Sequence, residues 1–327
     1  MSTITNQTFV LKSSDILNQS GVNEMTQAGP YALAVTPWGT DNIAVAWIGK
    51  TSPTSEIYLF IANVNCGQNG IGNYTRYTMV QGDPGLGSGV ALWTDVTGGT
   101  LYFQYTDGTG THIRSTTDLT ATPAVVYDDP IRTATLGLCG AAPPIAVLFY
   151  LRDGGGPTPS VVSLAEANGE WSIWDTGTFS GGLAYSLAYF GSPITYNGQQ
   201  YGNAAVYQAM QQRPPLPPTS YGYVLPDYWG PQVIVSTSDV PSLSCPAGVT
   251  SWTDGTTVTL VEAFPSGSSV NLKSSADLTS WTSSQVVSLG VTIRSNVSLT
   301  NSGGLLYAVF GDSNGNVNVL QFGPAGS

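Results

Sequence analysis

Short apolar runs recur along the whole chain and are separated by turn residues. Examples are residues 43–48 (IAVAWI), 145–151 (IAVLFYL) and 305–310 (LLYAVF). These runs are rich in Val, Ile, Tyr, Phe and Trp, the residues that favour strands. No segment shows the i, i+3, i+4, i+7 spacing of an amphipathic helix, and Gly, Pro, Asn-Gly and Asp-Gly interrupt the chain too often for long helices. The pattern predicts an antiparallel all-β protein.

The apolar runs repeat as a unit. Each unit starts with a strand of small apolar residues, continues through a second strand with aromatic residues and a Gly-rich hairpin, and ends in a third strand. Units start near Ala32, Val90, Leu136, Ala184, Val249 and Val297. The spacing is close to the roughly 40 to 50 residues of one four-stranded propeller blade, with some longer loops. We therefore expect residues 1–327 to form a single domain, a six-bladed β-propeller.

A segment ahead of the first unit supplies a strand to the last one. Residues 7–16 are expected to form the outer strand of the last blade, which closes the ring and removes two exposed sheet edges. A motif recurs at residues 12–16 (KSSDI), 114–119 (RSTTDL) and 273–278 (KSSADL). We interpret its Asp as closing a turn between strands. The alternative is one ligand site per blade.

Charge and composition exclude several functions. Nine basic and twenty acidic residues give a net charge of -11, the wrong sign for a nucleic-acid backbone or an anionic membrane surface. No apolar run approaches the roughly 18 to 20 residues that span a bilayer. Only 9% of the residues are charged, which favours an extracellular or lumenal protein. The single histidine excludes multi-histidine metal sites, and the three cysteines have no metal-ligand spacing.

The strand rhythm resembles that of the fungal fucose-specific lectins, which are six-bladed propellers. The resemblance rests on middle strands such as residues 43–47 (IAVAW), 101–105 (LYFQY) and 306–310 (LYAVF), on Asp-Gly or Asn-Gly hairpins, and on the trailing Trp171 and Trp281. In that family an Arg on the middle strand and a Glu on the next strand hold the sugar hydroxyls, and an aromatic ring packs on the sugar.

The chain departs from the sugar motif of this family. Ala44, Tyr102, Ala146, Ala205, Thr257 and Leu306 stand near the positions of the family's Arg. Only Glu56 and Glu262 lie near a position of its Glu. The resemblance therefore implies a propeller that has lost the repeated fucose site.

A lectin-like propeller without its sugar motif is similar to the fungal hetero-Diels–Alderases of tropolonic sesquiterpene biosynthesis. That resemblance implies a pericyclase without cofactor or metal, which joins a tropolone-type o-quinone methide to a humulene-type sesquiterpene. Its substrates would be small, apolar and aromatic. The enzyme is our preferred hypothesis, and the alternative is a lectin of fucose or altered specificity with aromatic platforms between blades.

The largest departure from the repeat is an insertion at residues 208–232 in the fourth unit. Its six prolines remove backbone donors, so we predict that it forms neither a helix nor a central strand. Long structured insertions are usually functional loops, and the four aromatic rings argue against disorder. We interpret the insertion as a lid or wall over one mouth of the propeller. Covering of blade edges or a contact in a homodimer is the alternative.

The pericyclase hypothesis assigns roles to seven residues. Orientation of two apolar reactants can contribute roughly 7 to 11 kcal/mol, and Tyr221, Tyr223 and Trp229 would hold them. Asp227, His112 or Tyr228 would transfer the proton that releases water. Arg213 or a Tyr hydroxyl would stabilise charge on the quinone oxygen.

Two other polar features have simpler interpretations. His112 is also explained as a half-buried strand histidine, and Asp128-Asp129, just before Pro130, as an exposed turn or a calcium ligand pair.

A glycoside hydrolase is the third functional class that we consider. It would need two carboxylates roughly 5 to 10 Å apart that face one pocket. The small, apolar innermost strands argue against such a pair in the central channel.

Overall fold

The structure is a computed structural model of the 327-residue chain. It describes residues 4–11, 22–24, 33–51, 57–66, 70–78, 90–95, 97–129, 147–152, 160–167, 170–178, 183–189, 194–196, 199–201, 205–211, 219–225, 233–236, 248–253, 258–276, 280–282, 285–295 and 297–324. Side chains are described in 33–49, 57–66, 72–78, 90–95 and 97–129, and for most positions of 248–322.

The described residues form strands and turns, with no helix among them. Two strands precede the first blade: β1 (Ile4–Leu11) and β2 (Val22–Glu24). Blade 1 consists of β3 (Leu33–Pro37), β4 (Asn42–Thr51), β5 (Ile57–Asn65) and β6 (Gly70–Thr78), and β2 pairs with the end of β4. Blade 2 consists of β7 (Val90–Thr94), β8 (Leu101–Asp107), β9 (Gly110–Thr116) and β10 (Ala124–Asp129). Three strands of blade 3 are described: β11 (Val147–Arg152), β12 (Ser160–Ala167) and β13 (Glu170–Thr178).

The second half continues the same up-and-down order. Blade 4 begins with β14 (Leu183–Tyr189), then a small hairpin of β15 (Ile194–Tyr196) and β16 (Gln199–Tyr201), and continues with β17 (Ala205–Gln211), β18 (Thr219–Leu225) and β19 (Val233–Ser236). Blade 5 consists of β20 (Gly248–Thr253), β21 (Val258–Ser266), β22 (Ser269–Ser275) and β23 (Gln285–Ser288). Blade 6 consists of β24 (Ser298–Ser302), β25 (Leu305–Gly311) and β26 (Val317–Pro324), with β1 as its outer strand.

The first strands of the blades contact one another around the centre. β3 packs between β24 and β7, and β20 packs between β14 and β24. The predicted unit starts at residues 32, 90, 184, 249 and 297 each lie within one residue of such a strand, whereas the start at 136 lies outside the described residues. The protein is an all-β propeller, and its six larger sheets are consistent with six blades.

The N-terminal strand pairs antiparallel with the last strand of the chain. β1 runs from Ile4 opposite Pro324 to Leu11 opposite Val317. The strand thus begins three residues before the predicted segment 7–16, whose residues 12–16 lie outside the described part. An outer strand from the opposite end of the chain covers the edge that β26 would otherwise expose.

The prediction that residues 208–232 contain no central strand was wrong. Residues 208–211 belong to β17, and β18 lies between β17 and β19 in the sheet. Residues 219–225 contain no proline, because the six prolines of the insertion stand at 214–218, 226 and 231, outside the strands. No proline falls within β18, so each of its residues can contribute a backbone N–H to the ladder.

Apolar clusters fill the spaces between neighbouring blades. One joins blades 6 and 1 and includes Trp47 and Phe60, which stack with ring centroids 5.2 Å apart. A second joins blades 5 and 6, and a third joins blades 1 and 2 around Phe103. Blades 1 and 6 each take part in two of these clusters and use one face for each neighbour, as expected where side chains alternate along strands.

Cys66 is a buried free thiol, and Cys139 and Cys245 lie outside the described side chains. No helix in the described ranges is long and apolar enough to cross a membrane.

Candidate functional site

The hairpin between β8 and β9 forms the first part of a polar cluster in blade 2. Asp107, the last residue of β8, accepts hydrogen bonds on Oδ1 from the backbone N–H of Thr109 (2.8 Å) and from its hydroxyl (2.7 Å). The same oxygen lies 3.1 Å from His112 Nε2. The short polar turn thus holds a nearly buried carboxylate against the imidazole ring.

The outer strand β10 adds a second carboxylate on the other side of the ring. Asp128 Oδ1 lies 2.7 Å from His112 Nδ1 and 2.6 Å from Arg114 Nη1. The same Arg114 nitrogen also lies within donor distance of the carbonyls of Ile113 (3.0 Å) and Tyr127 (3.3 Å). Each ring nitrogen of His112 therefore faces a carboxylate, and a guanidinium group holds one of these carboxylates in place.

A β-bulge in β10 places the carboxylate of Asp128 on the same face of the sheet as His112. Val125 lies opposite Arg114, the register then shifts by one residue, and Asp128 lies opposite His112. Without the shift Asp128 would lie opposite Thr111, whose side chain lies on the other face of the sheet. The bulge thus places Asp128 on the same face as His112 and Arg114. The interpretation of Asp128-Asp129 as an exposed turn was wrong, because both residues belong to β10 and Asp129 is buried.

Aromatic rings connect this cluster with blade 1. Tyr77 of β6 stacks on Phe103 at 5.2 Å, and Tyr105 lies 6.4 Å from Phe103 and 4.9 Å from the His112 ring. The face of blade 2 that carries the cluster is therefore the face toward blade 1. At its outer edge Val125 is 66% exposed, so this edge of the face is open to solvent. We refer to this outer part of the interface between blades 1 and 2 as the cleft.

Exposure in the cluster increases toward this edge. The side chain of Asp107 is 4% exposed, those of His112 and Arg114 are 13% and 14% exposed, and that of Asp128 is 49% exposed. Asp128 is thus the carboxylate that a ligand would meet first.

Neighbouring groups shift two pKa values in the cluster. Partial burial raises the pKa of Asp128, but hydrogen bonds from Arg114 and His112 outweigh burial and lower it overall. Burial raises the pKa of the Tyr105 phenol, with further increases from Asp107 and Asp128 against a decrease from Arg114. The cleft thus presents an ionised carboxylate beside a neutral phenol, which is suited to hydrogen bonding with hydroxyl groups.

Among the blades whose side chains are described here, the cluster occurs once. In blade 2 His112 lies opposite Tyr105 of the middle strand. The corresponding residues are Asn271 in blade 5, opposite Phe264, and Asn318 in blade 6, opposite Phe310. In blade 5 the residue opposite Asn271 on the outer strand is Val286. Of these three blades, blade 2 has an imidazole opposite a carboxylate of the outer strand, whereas blades 5 and 6 have Asn in place of the imidazole.

The structure brings one predicted site residue into this cluster, His112. Tyr221 and Tyr223 lie on β18, and their side chains lie outside the described set. Arg213, Asp227, Tyr228 and Trp229 lie outside the described residues altogether, so the roles assigned to them stay predictions. Sequence reasoning missed Asp107, Arg114 and Asp128 as partners of His112; the RSTTDL motif that contains Arg114 was the available signal.

The other predicted features have separate outcomes. The turn-closing interpretation of Asp118 is confirmed, since its carboxylate accepts hydrogen bonds from the backbone N–H (2.9 Å) and hydroxyl (2.8 Å) of Thr120. At two positions near the family's Arg, Ala44 and Leu306 are buried in the apolar clusters. Tyr102 stacks on Trp93, with ring centroids 5.5 Å apart.

Within the described side chains, no group of three or more His, Cys, Asp or Glu residues has an arrangement that could hold a metal ion.

Comparison with solved structures identifies the fold of the protein as a β-propeller. No sequence family matches the chain, and no curated protein matches it in sequence. A mutant α-L-arabinofuranosidase from Fusarium graminearum with an iminosugar inhibitor has a TM-score of 0.64 at 12% identity, over 96% of this chain and 97% of that one.

A lectin and a lyase are also similar. A mutant Aleuria aurantia lectin in complex with Fucα1-6GlcNAc has a TM-score of 0.52 at 13% identity, over 91% of this chain and 97% of that one. The polysaccharide lyase Uly1 has a TM-score of 0.50 at 9% identity, over 99% and 100% of the two chains. At these identities the likeness establishes the β-propeller fold and nothing further.

Proposed function

We propose that this propeller binds carbohydrate in the cleft between blades 1 and 2. The observation that carries the proposal is the cluster of His112, Arg114 and Asp128 beside the ring of Tyr105. A half-exposed carboxylate, held by a cation, accepts hydrogen bonds from sugar hydroxyls. Tyr105 and the exposed Val125 supply apolar surface for the C–H face of a sugar ring.

Three properties of the cleft favour a neutral sugar over other ligands. The carboxylates Asp107 and Asp128 disfavour anions, and the net charge of -11 does the same at long range. Arg114 balances one of the carboxylates and so weakens attraction for cations. The cleft would therefore bind its ligand mainly through hydrogen bonds and apolar contact, as most small-molecule sites do. The arabinofuranosidase and the fucose-bound lectin of similar fold support the same class of ligand.

Calorimetric titration with L-fucose, L-arabinose and their oligosaccharides tests the proposal. We expect saturable binding, and Asp128→Asn should weaken it by roughly 10- to 100-fold, since a hydrogen bond to a charged group contributes about 1.5 to 3 kcal/mol. Asp118→Asn, on the same blade, keeps an acceptor for its turn and should bind as the parent protein does. Equal binding by the parent protein and Asp128→Asn would exclude this cleft.

The hetero-Diels–Alderase is the second candidate function. Its support is the burial of Ala44 and Leu306 near positions where the lectin family has its sugar-binding Arg, together with a polar cluster that is not repeated in blades 5 and 6. A lectin site is expected to recur from blade to blade, so a cluster that is absent from blades 5 and 6 suits an enzyme better. Because residues 208–211 and 219–225 are strands of blade 4, its proposed substrate wall is the rest of the segment 208–232.

Incubation with a humulene-type alcohol and a tropolonic quinone methide precursor, followed by mass spectrometry, tests this second candidate. Protein-dependent formation of the adduct, lost in Tyr228→Ala and Trp229→Ala variants that still fold, would support it. An adduct that forms at the same rate without protein would refute it.

A further inference from the structure

A buried carboxyl group stands on the middle strand of blade 5. Glu262 lies on β21, opposite Val249 of β20 and Lys273 of β22. Its side chain is 2% exposed, and its Oε2 atom makes no hydrogen bond. Nearly all buried polar atoms in folded proteins have a partner. This oxygen is therefore an exception that needs an explanation.

The repeat shows that the fold does not require an acid at this place. Arg114 in blade 2 and Lys273 in blade 5 occupy the same position in the RSTTDL and KSSADL motifs. The middle-strand residue opposite Arg114 is Phe103, which is fully buried and apolar. In blade 5 the corresponding residue is Glu262. An apolar residue satisfies this position in one blade, so the carboxyl group in the other lowers stability without a structural need.

The carboxyl group faces blade 4. The alternate residues of the same strands, Val261, Ala263 and Leu272, pack in the cluster shared with blade 6. Side chains alternate across a sheet, so Glu262, Lys273 and Asn271 lie on the opposite face. β14 of blade 4 contacts β20 on the inner side of this face.

The outer edge of this face of blade 5 is exposed to solvent. Val286 of the outer strand lies opposite Asn271 and is 62% exposed. Lys273 is partly exposed, whereas Glu262 is buried further in. The partly exposed Lys273 therefore lies between the outer strand and the carboxyl group. The same face of blade 2 carries the His112 cluster, which faces blade 1.

We propose that Glu262 is the hydrogen-bonding anchor of a second ligand site, in the interface between blades 4 and 5, for a neutral molecule with hydroxyl groups. The oxygen without a partner accepts a hydroxyl of the ligand. Lys273 disfavours a cationic ligand, and the carboxyl group disfavours an anionic one. Burial raises the pKa of Glu262 to about 7, against a lowering by Lys273, so near neutral pH the group can both accept and donate a hydrogen bond. The site is separate from the cleft between blades 1 and 2.

Titration in the Asp128→Asn background isolates the second site. At pH 7.5, with L-fucose, L-arabinose, D-galactose and glycerol as probes, we expect Asp128→Asn to retain binding of at least one probe. Adding Glu262→Gln should weaken that binding by roughly 10- to 100-fold. Glu262→Asp keeps the charge but withdraws it by one methylene, and should also weaken binding. It serves as the second variant if the first does not fold.

The outcomes separate this inference from the proposed function. If Asp128→Asn abolishes all binding of the four probes, or if its remaining binding is unchanged by both Glu262 variants, the second site does not exist. If instead Asp128→Asn binds as the parent protein does and Glu262→Gln abolishes binding, the second site stands and the cleft between blades 1 and 2 is not a ligand site.

Discussion

Replacement of Glu262 by Gln should remove a pH dependence of stability. Burial raises the pKa of this carboxyl from 4.5 to about 7. Between these two pH values the folded protein retains a proton that the unfolded chain has released. The unfolded state then binds fewer protons, so the free energy of unfolding falls as pH rises from about 4.5 to 7, and is level above that range.

The magnitude follows from the difference between the two pKa values. At about 1.4 kcal/mol for each pH unit, a rise from 4.5 to about 7 corresponds to about 3 kcal/mol. The parent protein should lose this amount between pH 4.5 and pH 8, and Glu262→Gln should not. At pH 8 the variant should therefore be the more stable protein, whereas at pH 4.5 the difference should be small.

Urea unfolding of both proteins at pH 5, 6, 7 and 8 measures the effect. The difference in free energy between variant and parent cancels all other titrating groups, since they are common to both. An equal slope m for the two proteins would show that the variant unfolds the same surface. A difference that stays constant from pH 5 to 8, or that changes in favour of the parent at high pH, would refute the assignment of a raised pKa to this residue.

Three further predictions concern the blades and their cleft. A double-mutant cycle of Arg114→Gln and Asp128→Asn should give a coupling of about 1 kcal/mol, because the pair is partly exposed; strict additivity of the unfolding free energies would show that the ion pair is not formed. Gly248→Ala should lower stability by about 1 to 3 kcal/mol, since its Cβ would lie 2.7 Å from two backbone atoms of blade 6. Gly99→Ala, where the nearest atom is a side-chain oxygen at 3.4 Å, should change the urea midpoint little, and equal losses in both would contradict the close approach. Burial raises the pKa of the Cys66 thiol, so iodoacetamide at pH 8 should label the peptide containing it only after unfolding, and rapid labelling of the native protein would contradict its burial.

The two polar faces of this propeller are related by the repeat. Lys273 of blade 5 and Arg114 of blade 2 share one position of the motif, and each faces the preceding blade. The corresponding residue of blade 6, Leu320, is buried and apolar. The repeated scaffold thus keeps the same geometry, and differences at a few equivalent positions decide which interface is polar.

The all-β class and the unit starts could be predicted from sequence because their signals are local. Strand alternation and turn residues act over a few neighbours, so Val90 marks the first strand of blade 2 without knowledge of any other blade. The same local reasoning failed for residues 219–225. There the surrounding prolines suggested a continuous loop, although the intervening segment pairs on both sides.

The candidate sites depend on contacts that only the tertiary structure determines. His112 and Asp128 meet because a one-residue bulge in β10 changes the register, and a register shift of one residue turns a side chain to the opposite face. Glu262 is 2% exposed in the folded chain, and burial, not the residue type, shifts its pKa. Sequence therefore determined the strands and their repeat through short-range pattern. Register and the packing of blades decided which polar groups share an interface, because both depend on residues far apart in the chain.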